Sequence, residues 1–391
     1  MSDIDWLKII DNIIEEIDDN FDTLSKLNMN DSGKSKMFAD KENERCKKIL
    51  LSQKTNIKQF YEAKNKRFIP LGTVLILTPF SSAYTSILHK LIPSLLVGNK
   101  CIIKSSNFTN NCSAYFIDML KSCMPAKLAN KIIFKEDLNS VKEIIKKQAF
   151  DVILFTGKSE TAKEIKKQIG RKRGVFETGS LALAYIDKDI DLDKVAHEIC
   201  DNSFAQNGMR CIGLKNVFIH ASIYDALKEK IVKLVNTYKR NENYIREFKN
   251  QQTKKEILQN IENYLSNGYT NLQNDLTFPI LIESSLNIKN YFLKEMYGPV
   301  LCLHRVDDIN KIPLEYLKRS SLSTSIYSNN QNNIKLFIKN DIYTGSILIN
   351  KGPAIRNDDL PFGGFYDENE NKESFWDIIN IASNIQIIDK L

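Results

Sequence analysis

Three short stretches of this 391-residue sequence carry residue types that could do chemistry. Cys211 ends Gln206-Asn-Gly-Met-Arg-Cys211, a glycine-containing stretch beside Arg210. A thiol next to a cation in a loop can be drawn toward its thiolate and attack a carbonyl carbon; a lone loop cysteine can equally be inert. Glu177 follows the apolar Val175-Phe176 and precedes Thr178-Gly179-Ser180. A carboxylate at the end of a buried segment could serve as a general base, while the plainer reading is a solvated loop glutamate. The third stretch is Gly157-Lys158-Ser159, after an apolar run and before a helix-like pattern. A glycine at a strand-to-helix turn lets a phosphate approach the free N–H groups of the helix, although any such turn can carry Gly-Ser. No G-x-G-x-x-G fingerprint occurs.

The elements that must position these residues alternate. Leu71-Gly-Thr-Val-Leu-Ile-Leu-Thr-Pro79 is a continuous apolar run ending in a turn, the pattern of a strand buried on both faces. A helix over 84–97, a strand at 100–104, a helix at 109–123, a strand at 131–134, a helix at 138–148 and a strand at 151–156 follow. Strands alternating with helices mean βαβ units and a largely parallel sheet. Beyond 180 the alternation resumes: strand 183–186, helix 191–205, strand 216–220, helix 222–239, and strands near 324–327 and 346–349. An amphipathic helix is expected over 4–19; 20–58 and 240–275 read as polar and poorly patterned, and Ile381, Ile385 and Ile387 share a face at period-2 spacing. The domain boundary is expected at a crossover near 178.

Length suggests two domains. Hydrophobic residues at 42% and charged residues at 26% fit a globular chain and exclude a mostly disordered one. The net charge of +7 is spread among acids and asparagines, so nucleic-acid binding is not expected. No apolar run is long enough to span a bilayer, and the acidic, amphipathic start is neither a secretory signal nor a transit peptide. Seven irregularly spaced cysteines and four scattered histidines suggest neither a disulfide framework nor a metal site, and a reducing cytoplasm is expected.

Taken together and in order, these features resemble the aldehyde dehydrogenase superfamily from about residue 60 onward. The matching blocks are Pro70-Leu-Gly72 with Thr78-Pro79, Lys90 with Pro93 and Gly98-Asn99, Ile102-Ile-Lys104-Ser-Ser, Phe155-Thr-Gly157, Glu177-Thr-Gly179, Gln206-Asn-Gly-Met-Arg-Cys211, Glu295-Met-Tyr-Gly-Pro-Val300 and Pro361-Phe-Gly-Gly364. Glu177 and Cys211 are 34 positions apart, as in that family's active site. The resemblance implies an α/β fold with a Rossmann-like cofactor-binding domain (1–58 and 70–178), an α/β catalytic domain (179–365), and an oligomerisation arm (59–69 and 381–391). It implies NAD(P)-dependent oxidation of an aldehyde, through a Cys211 thiohemiacetal and thioester that Glu177 hydrolyses with water. Lys90 becomes a supporting active-site residue. Lys104 falls to the adenosine ribose, Glu295 to the nicotinamide ribose, and the Gly157 turn to the pyrophosphate, with Thr78, Pro79 and Tyr297 also beside NAD or NADP. A homodimer or homotetramer is implied.

The sequence departs from the family pattern in four places. Ser81 stands where the family supplies an oxyanion-hole asparagine, and loss of such a donor can lower a rate by roughly 10²–10³. Asn107 replaces a glutamate of NAD-preferring members, which makes NADP use credible. Lys158 replaces a small hydroxyl residue and could pair with cofactor phosphate. The segment before Pro70 is shorter than usual for the family. Two alternatives stay open: reduction of an acyl thioester or acyl phosphate to an aldehyde, or a decayed, cofactor-binding relative. Arg210 and Arg356 would suit an anionic aldehyde.

Overall fold

The structure, a computed structural model, describes residues 4–63, 65–284, 292–318, 322–340, 342–355, 358 and 374–388. They divide into two compact units. The first takes the chain up to Thr178, with Asp358 and 374–388; the second runs from Gly179 to 355.

The first unit begins with helices α1 (Trp6–Asp19), α2 (Phe21–Ser32) and α3 (Lys36–Glu62). Trp6, Ile9, Ile10, Ile13 and Ile17 line one face of α1 at helical spacing and enter the core. The stretch read as polar over 20–58 is therefore almost wholly helical. Its patterning misleads because polar side chains are buried there alongside apolar ones. Ser25, Asn28, Ser32, Glu42 and Asn43 are all buried. Asn28 Nδ2 donates to Glu42 Oε2 at 2.9 Å, Asn43 Nδ2 to Ser25 Oγ at 2.9 Å, and Lys34 forms an ion pair with Glu42. A buried charge is tolerated only when paired and hydrogen-bonded, and this one also receives the Tyr84 N–H at 3.0 Å.

The sheet of this unit is built from β2 (Thr73–Leu77), β3 (Lys100–Lys104), β4 (Ile132–Phe134), β5 (Val152–Thr156) and β6 (Arg173–Glu177), after β1 (Lys66–Pro70). Its order is β4-β3-β2-β5-β6, every pair parallel. Helices α4 (Thr85–Leu96), α5 (Asn110–Ser122), α6 (Ala126–Ala129), α7 (Leu138–Lys146) and α8 (Ser159–Ile169) make the crossovers. The chain reverses direction across the sheet at β2, between β3 and β5. Such a switch point leaves a crevice at the carboxyl ends of the strands, where doubly wound sheets bind ligands.

The second unit contains β7 (Ala182–Ile186), α9 (Leu192–Phe204), β8 (Leu214–His220), α10 (Tyr224–Lys239), α11 (Gln251–Ser266), β9 (Thr270–Asn271), β10 (Ile280–Ser284), β11 (Val300–Val306), α12 (Leu314–Lys318), β12 (Thr324–Tyr327), α13 (Gln331–Lys339) and β13 (Ile347–Ile349). Its seven strands lie in the order β13-β12-β7-β8-β11-β10-β9, parallel except for the β9–β10 pair. Helix α11 crosses the region read as unpatterned, burying Thr253, Ile257, Ile261 and Tyr264 at i, i+4 and i+3 steps. Strands β10 and β11 are absent from the sequence reading.

Back in the first unit, α14 (Phe375–Ala382) leads into β14 (Ser383–Ile387), which pairs antiparallel with β1 in register Phe68↔Ile385. Within the bounds expected for the arm, the described residues include helix as well as strand. Residues 59–62 complete α3, and Ile381 belongs to α14, so Ile381 does not continue the period-2 face of Ile385 and Ile387.

Candidate active site

In the first unit, the singled-out residues gather at the carboxyl ends of the parallel strands. Thr78 and Pro79 follow β2, Lys104 ends β3, Gly157 and Lys158 follow β5, and Glu177 ends β6. Lys90 lies on α4, the helix that follows β2. Its side chain is 0% exposed, and its ammonium donates to Thr156 Oγ1 at 2.8 Å and to Ser86 Oγ at 3.2 Å. The Thr156 hydroxyl in turn donates to Glu177 Oε2 at 3.1 Å. The Gly157 N–H donates to the Glu177 carbonyl at 3.0 Å, which ties the two strand ends together. Lys90, Thr156 and Glu177 thus form one chain, buried cation to half-buried hydroxyl to buried carboxylate, that orients the carboxylate. Thr156 was not anticipated; its signal is a hydroxyl on the last residue of a buried strand, just before a turn glycine.

Lys104 is also buried. Its ammonium donates to Asn107 Oδ1 at 3.0 Å, to Asn110 Oδ1 at 3.1 Å and to the Ser105 carbonyl. Burial pulls it below the usual lysine range, against the charges of Asp137 and Glu136. Asn107 therefore does meet Lys104, as an amide acceptor on an exposed 3₁₀ turn. Thr78 Oγ1 is buried without a hydrogen-bond partner among the described residues. Ser81 sits half-buried in the turn before α4, and Lys158 is exposed as the N-cap residue of α8.

In the second unit, the corresponding residues lie before the strands. Cys211 precedes β8, and Glu295 and Tyr297 precede β11. The approach to Cys211 is a run of left-handed backbone: Gln206 at φ 55°, Asn207 at φ 59° and Gly208 at φ 63°. Non-glycine residues held so cost about 1–3 kcal/mol each and persist only when their surroundings over-determine them. Here the Asn207 N–H donates to the Tyr244 carbonyl at 2.9 Å, and its Nδ2 to the Arg246 carbonyl at 3.0 Å. A side chain at Gly208 would collide with the Gly298 carbonyl, so the loop requires glycine there. Arg210 Nη2 donates to the Ala354 carbonyl at 2.6 Å. Cys211 itself is partly exposed in a turn.

Glu295 Oε1 accepts the Ser180 N–H at 3.2 Å, and a Cβ at Gly179 would overlap the Glu295 carboxylate. Tyr297 is half-buried. Arg356 and Pro361-Phe-Gly-Gly364 lie outside the described residues. Among the described residues no group of three or more His, Cys, Asp or Glu could hold a metal ion, and no helix is long and apolar enough to cross a membrane.

A partly exposed cysteine on a strained loop and a buried, hydroxyl-tethered glutamate are the components of covalent acyl chemistry. Comparison with known proteins identifies the family. The family model described as "Aldehyde dehydrogenase family" matches residues 4–385. The chain belongs to the aldehyde dehydrogenase family. It is 25% identical over 318 residues to the sulfoacetaldehyde dehydrogenase of Neptuniibacter caesariensis, covering 78% of this chain and 69% of that protein. It shares the fold of aldehyde dehydrogenase 21 from Physcomitrella patens, solved with the reaction product succinate: TM-score 0.87, 20% identity, 98% of this chain and 85% of that one. Succinic semialdehyde dehydrogenase from Streptococcus pyogenes, solved with NADP+, gives TM-score 0.87 at 20% identity, over 98% of this chain and 90% of that one. The α/β architecture expected from the sequence is therefore the aldehyde dehydrogenase fold, and the family match extends over the N-terminal helices as well. The enzyme class of this aldehyde dehydrogenase is NAD(P)-dependent oxidoreductase acting on an aldehyde.

Proposed function

We propose that the protein oxidises a small anionic aldehyde to the carboxylic acid by covalent catalysis at Cys211, with Glu177 as the base. The observation that carries the reading is the Lys90–Thr156–Glu177 chain, because a decayed site has no chemical reason to bury a lysine beneath a tethered carboxylate. The Cys211 thiolate adds to the aldehyde carbon and gives a thiohemiacetal. Donors from the Cys211 N–H and from Ser81 or its neighbour Ser82 stabilise the oxyanion. A bound NAD or NADP supplies the acceptor for the hydride that leaves the thiohemiacetal carbon. Glu177 then takes a proton from water, whose oxygen attacks the Cys211 thioester; the acid departs and the thiolate is restored. Lys90 acts through Thr156 as a positioning residue.

The first unit's strand ends suit a nucleotide. The Thr78 hydroxyl is buried without a partner among the described residues, Lys104 carries a positive charge held by amide oxygens, and Gly157 opens onto the start of α8. Pro79 and Lys158 belong to the same strand ends. In this reading Glu295 holds the nicotinamide ribose, and Tyr297 packs beside it. Asn107 in place of a carboxylate supports acceptance of NADP as well as NAD.

Arg210 beside the nucleophile supports an anionic substrate. The similar proteins act in the same direction, since one is named for sulfoacetaldehyde and another was solved with succinate. Homo-oligomerisation is proposed through the β1–β14 ribbon, where Ile69, Ile385 and Ile387 are exposed. A cytoplasmic setting is supported by seven cysteines that form no disulfide among the described residues.

The test is a panel of short aldehydes, charged and neutral, with NAD or NADP, following reduced nicotinamide in wild type and Cys211→Ala. Turnover of succinic semialdehyde or sulfoacetaldehyde above butanal, lost in the variant, is the expected result. Silence on every aldehyde would overturn the reading.

A further inference from the structure

Lys215 lies between the nucleophile and the cofactor loop, and the reaction derived above does not use it. The side chain is 1% exposed. Its position in the sheet is irregular: Ala182 pairs with Leu214 and Leu183 with Asn216, so the register slips past Lys215. Such a slip re-aims a side chain and is favoured next to active sites. Here it delivers Lys215 Nζ to the carbonyl of Gly208 at 2.9 Å and to that of Gly298 at 2.7 Å. Gly208 belongs to the left-handed run leading to Cys211, and Gly298 to the segment carrying Glu295. The two backbones touch without a side chain between them, because a Cβ at Gly208 would meet the Gly298 carbonyl. Both carbonyls converge on one ammonium; that of Gly298 also accepts the Val300 N–H at 2.9 Å, so removal of the ammonium would take one donor from it and strip the Gly208 carbonyl of its Lys215 hydrogen bond.

We propose that Lys215 is a positioning residue that locks the Cys211 loop to the Glu295 loop, so that nucleophile and cofactor contact are set together. The inference rests on the reading of Cys211 as nucleophile. Charge matters to the lock, since hydrogen bonds from an ammonium are stronger than those from a neutral amine. Burial lowers the Lys215 pKa to about 7, and the charge of Glu295 acts on it in the opposite direction. The lock is therefore tightest on the acid side of neutrality and loosens as the ammonium loses its proton.

The experiment is alkylation of Cys211 by iodoacetamide, followed on the Cys211 peptide by mass spectrometry from pH 6 to 9.5, in wild type and Lys215→Met. Wild type is expected to show an inflection near pH 7 besides the ionisation of the thiol. The variant is expected to lack that inflection, with its rate below pH 7 changed roughly tenfold. Its KM for NAD or NADP should rise together with a fall in kcat. A folded variant with the wild-type alkylation profile would overturn the proposal. If the variant does not fold, amide exchange in wild type decides: 206–211 and 296–299 should lose protection together between pH 6 and 8.5, after correction for intrinsic rates. Independent or pH-invariant exchange of the two segments would overturn it. Alkylation needs no turnover, so a protein silent on aldehydes would refute the proposed function and leave this test intact.

Discussion

The two units hold the residues of the proposed site in opposite ways. In the first, reactive side chains sit at the carboxyl ends of parallel strands, on regular backbone, and are oriented by side-chain hydrogen bonds such as Lys90–Thr156–Glu177. In the second, they sit before the amino ends of strands, on irregular backbone, and are oriented by main-chain geometry: left-handed residues at 206–208, glycines at 179 and 208 pressed against neighbours, and carbonyls gathered on Lys215. The contrast suits the two tasks. A base needs a fixed carboxylate with a defined electrostatic partner. A nucleophile needs a thiol and a neighbouring N–H aimed at one carbon, and only the backbone sets both.

The contrast makes different kinds of substitution damaging in each region. The largest loss is expected at the nucleophile: Cys211→Ala should lower kcat/KM by roughly 10³-fold or more in steady-state assays. Removal of the base should split the reaction instead. Glu177→Gln is expected to lower kcat by roughly 10²–10⁴ while leaving a burst of one reduced nicotinamide per site in stopped-flow traces. Within the strand-end region, Thr156→Val should cut the link between Lys90 and Glu177 and lower kcat by roughly tenfold, with the KM for aldehyde unchanged.

A smaller effect separates the units by pH. His304, in the second unit, is buried with Nε2 2.9 Å from Asn216 Oδ1 and Nδ1 2.5 Å from Ser284 Oγ. Because Asn216 Nδ2 donates to the Phe292 carbonyl, its Oδ1 accepts, which makes Nε2 the protonated nitrogen of a neutral ring. Burial lowers its pKa from 6.5 to about 3. The unfolded chain takes up that proton first, so stability is lost as pH falls from 6.5 toward 3, by roughly 1.4 kcal/mol per unit at most. Chemical denaturation at pH 7 and 4.5 should show this slope, reduced in His304→Gln. The mildest change is expected at the cofactor end: Asn107→Glu should shift the kcat/KM ratio roughly tenfold from NADP toward NAD, read from paired assays.

Legibility in the sequence follows the same division. The first unit's sheet could be read almost strand for strand, because residues such as Val74–Leu77 and Val152–Phe155 are buried on both faces and show as uninterrupted apolar runs. Glu177 and Gly157 were legible as residues ending such runs. Helix α1 was legible from its isoleucine spacing, but α2 and α3 were not, since Glu42, Asn28 and Asn43 look like surface and are core. Nor was the loop before Cys211: Gln206-Asn207 carries no sign that its φ angles are positive, and Gly208 reveals that it touches Gly298 only once β8 and β11 are seen as neighbours. Lys215 did leave a signal, a lysine between Leu214 and the buried Asn216-Val217-Phe218, which apolar periodicity alone passes over.

The central claim is that Cys211 carries the substrate's carbon through oxidation and that Glu177 releases it. The direct measurement is trapping. Glu177→Gln is mixed with succinic semialdehyde and NADP, quenched in acid, and the Cys211 peptide is weighed. The expected result is a succinyl thioester on Cys211, formed in step with the burst of reduced cofactor and absent from Cys211→Ala. Reduced cofactor without that adduct, or an adduct on another cysteine, would contradict the account.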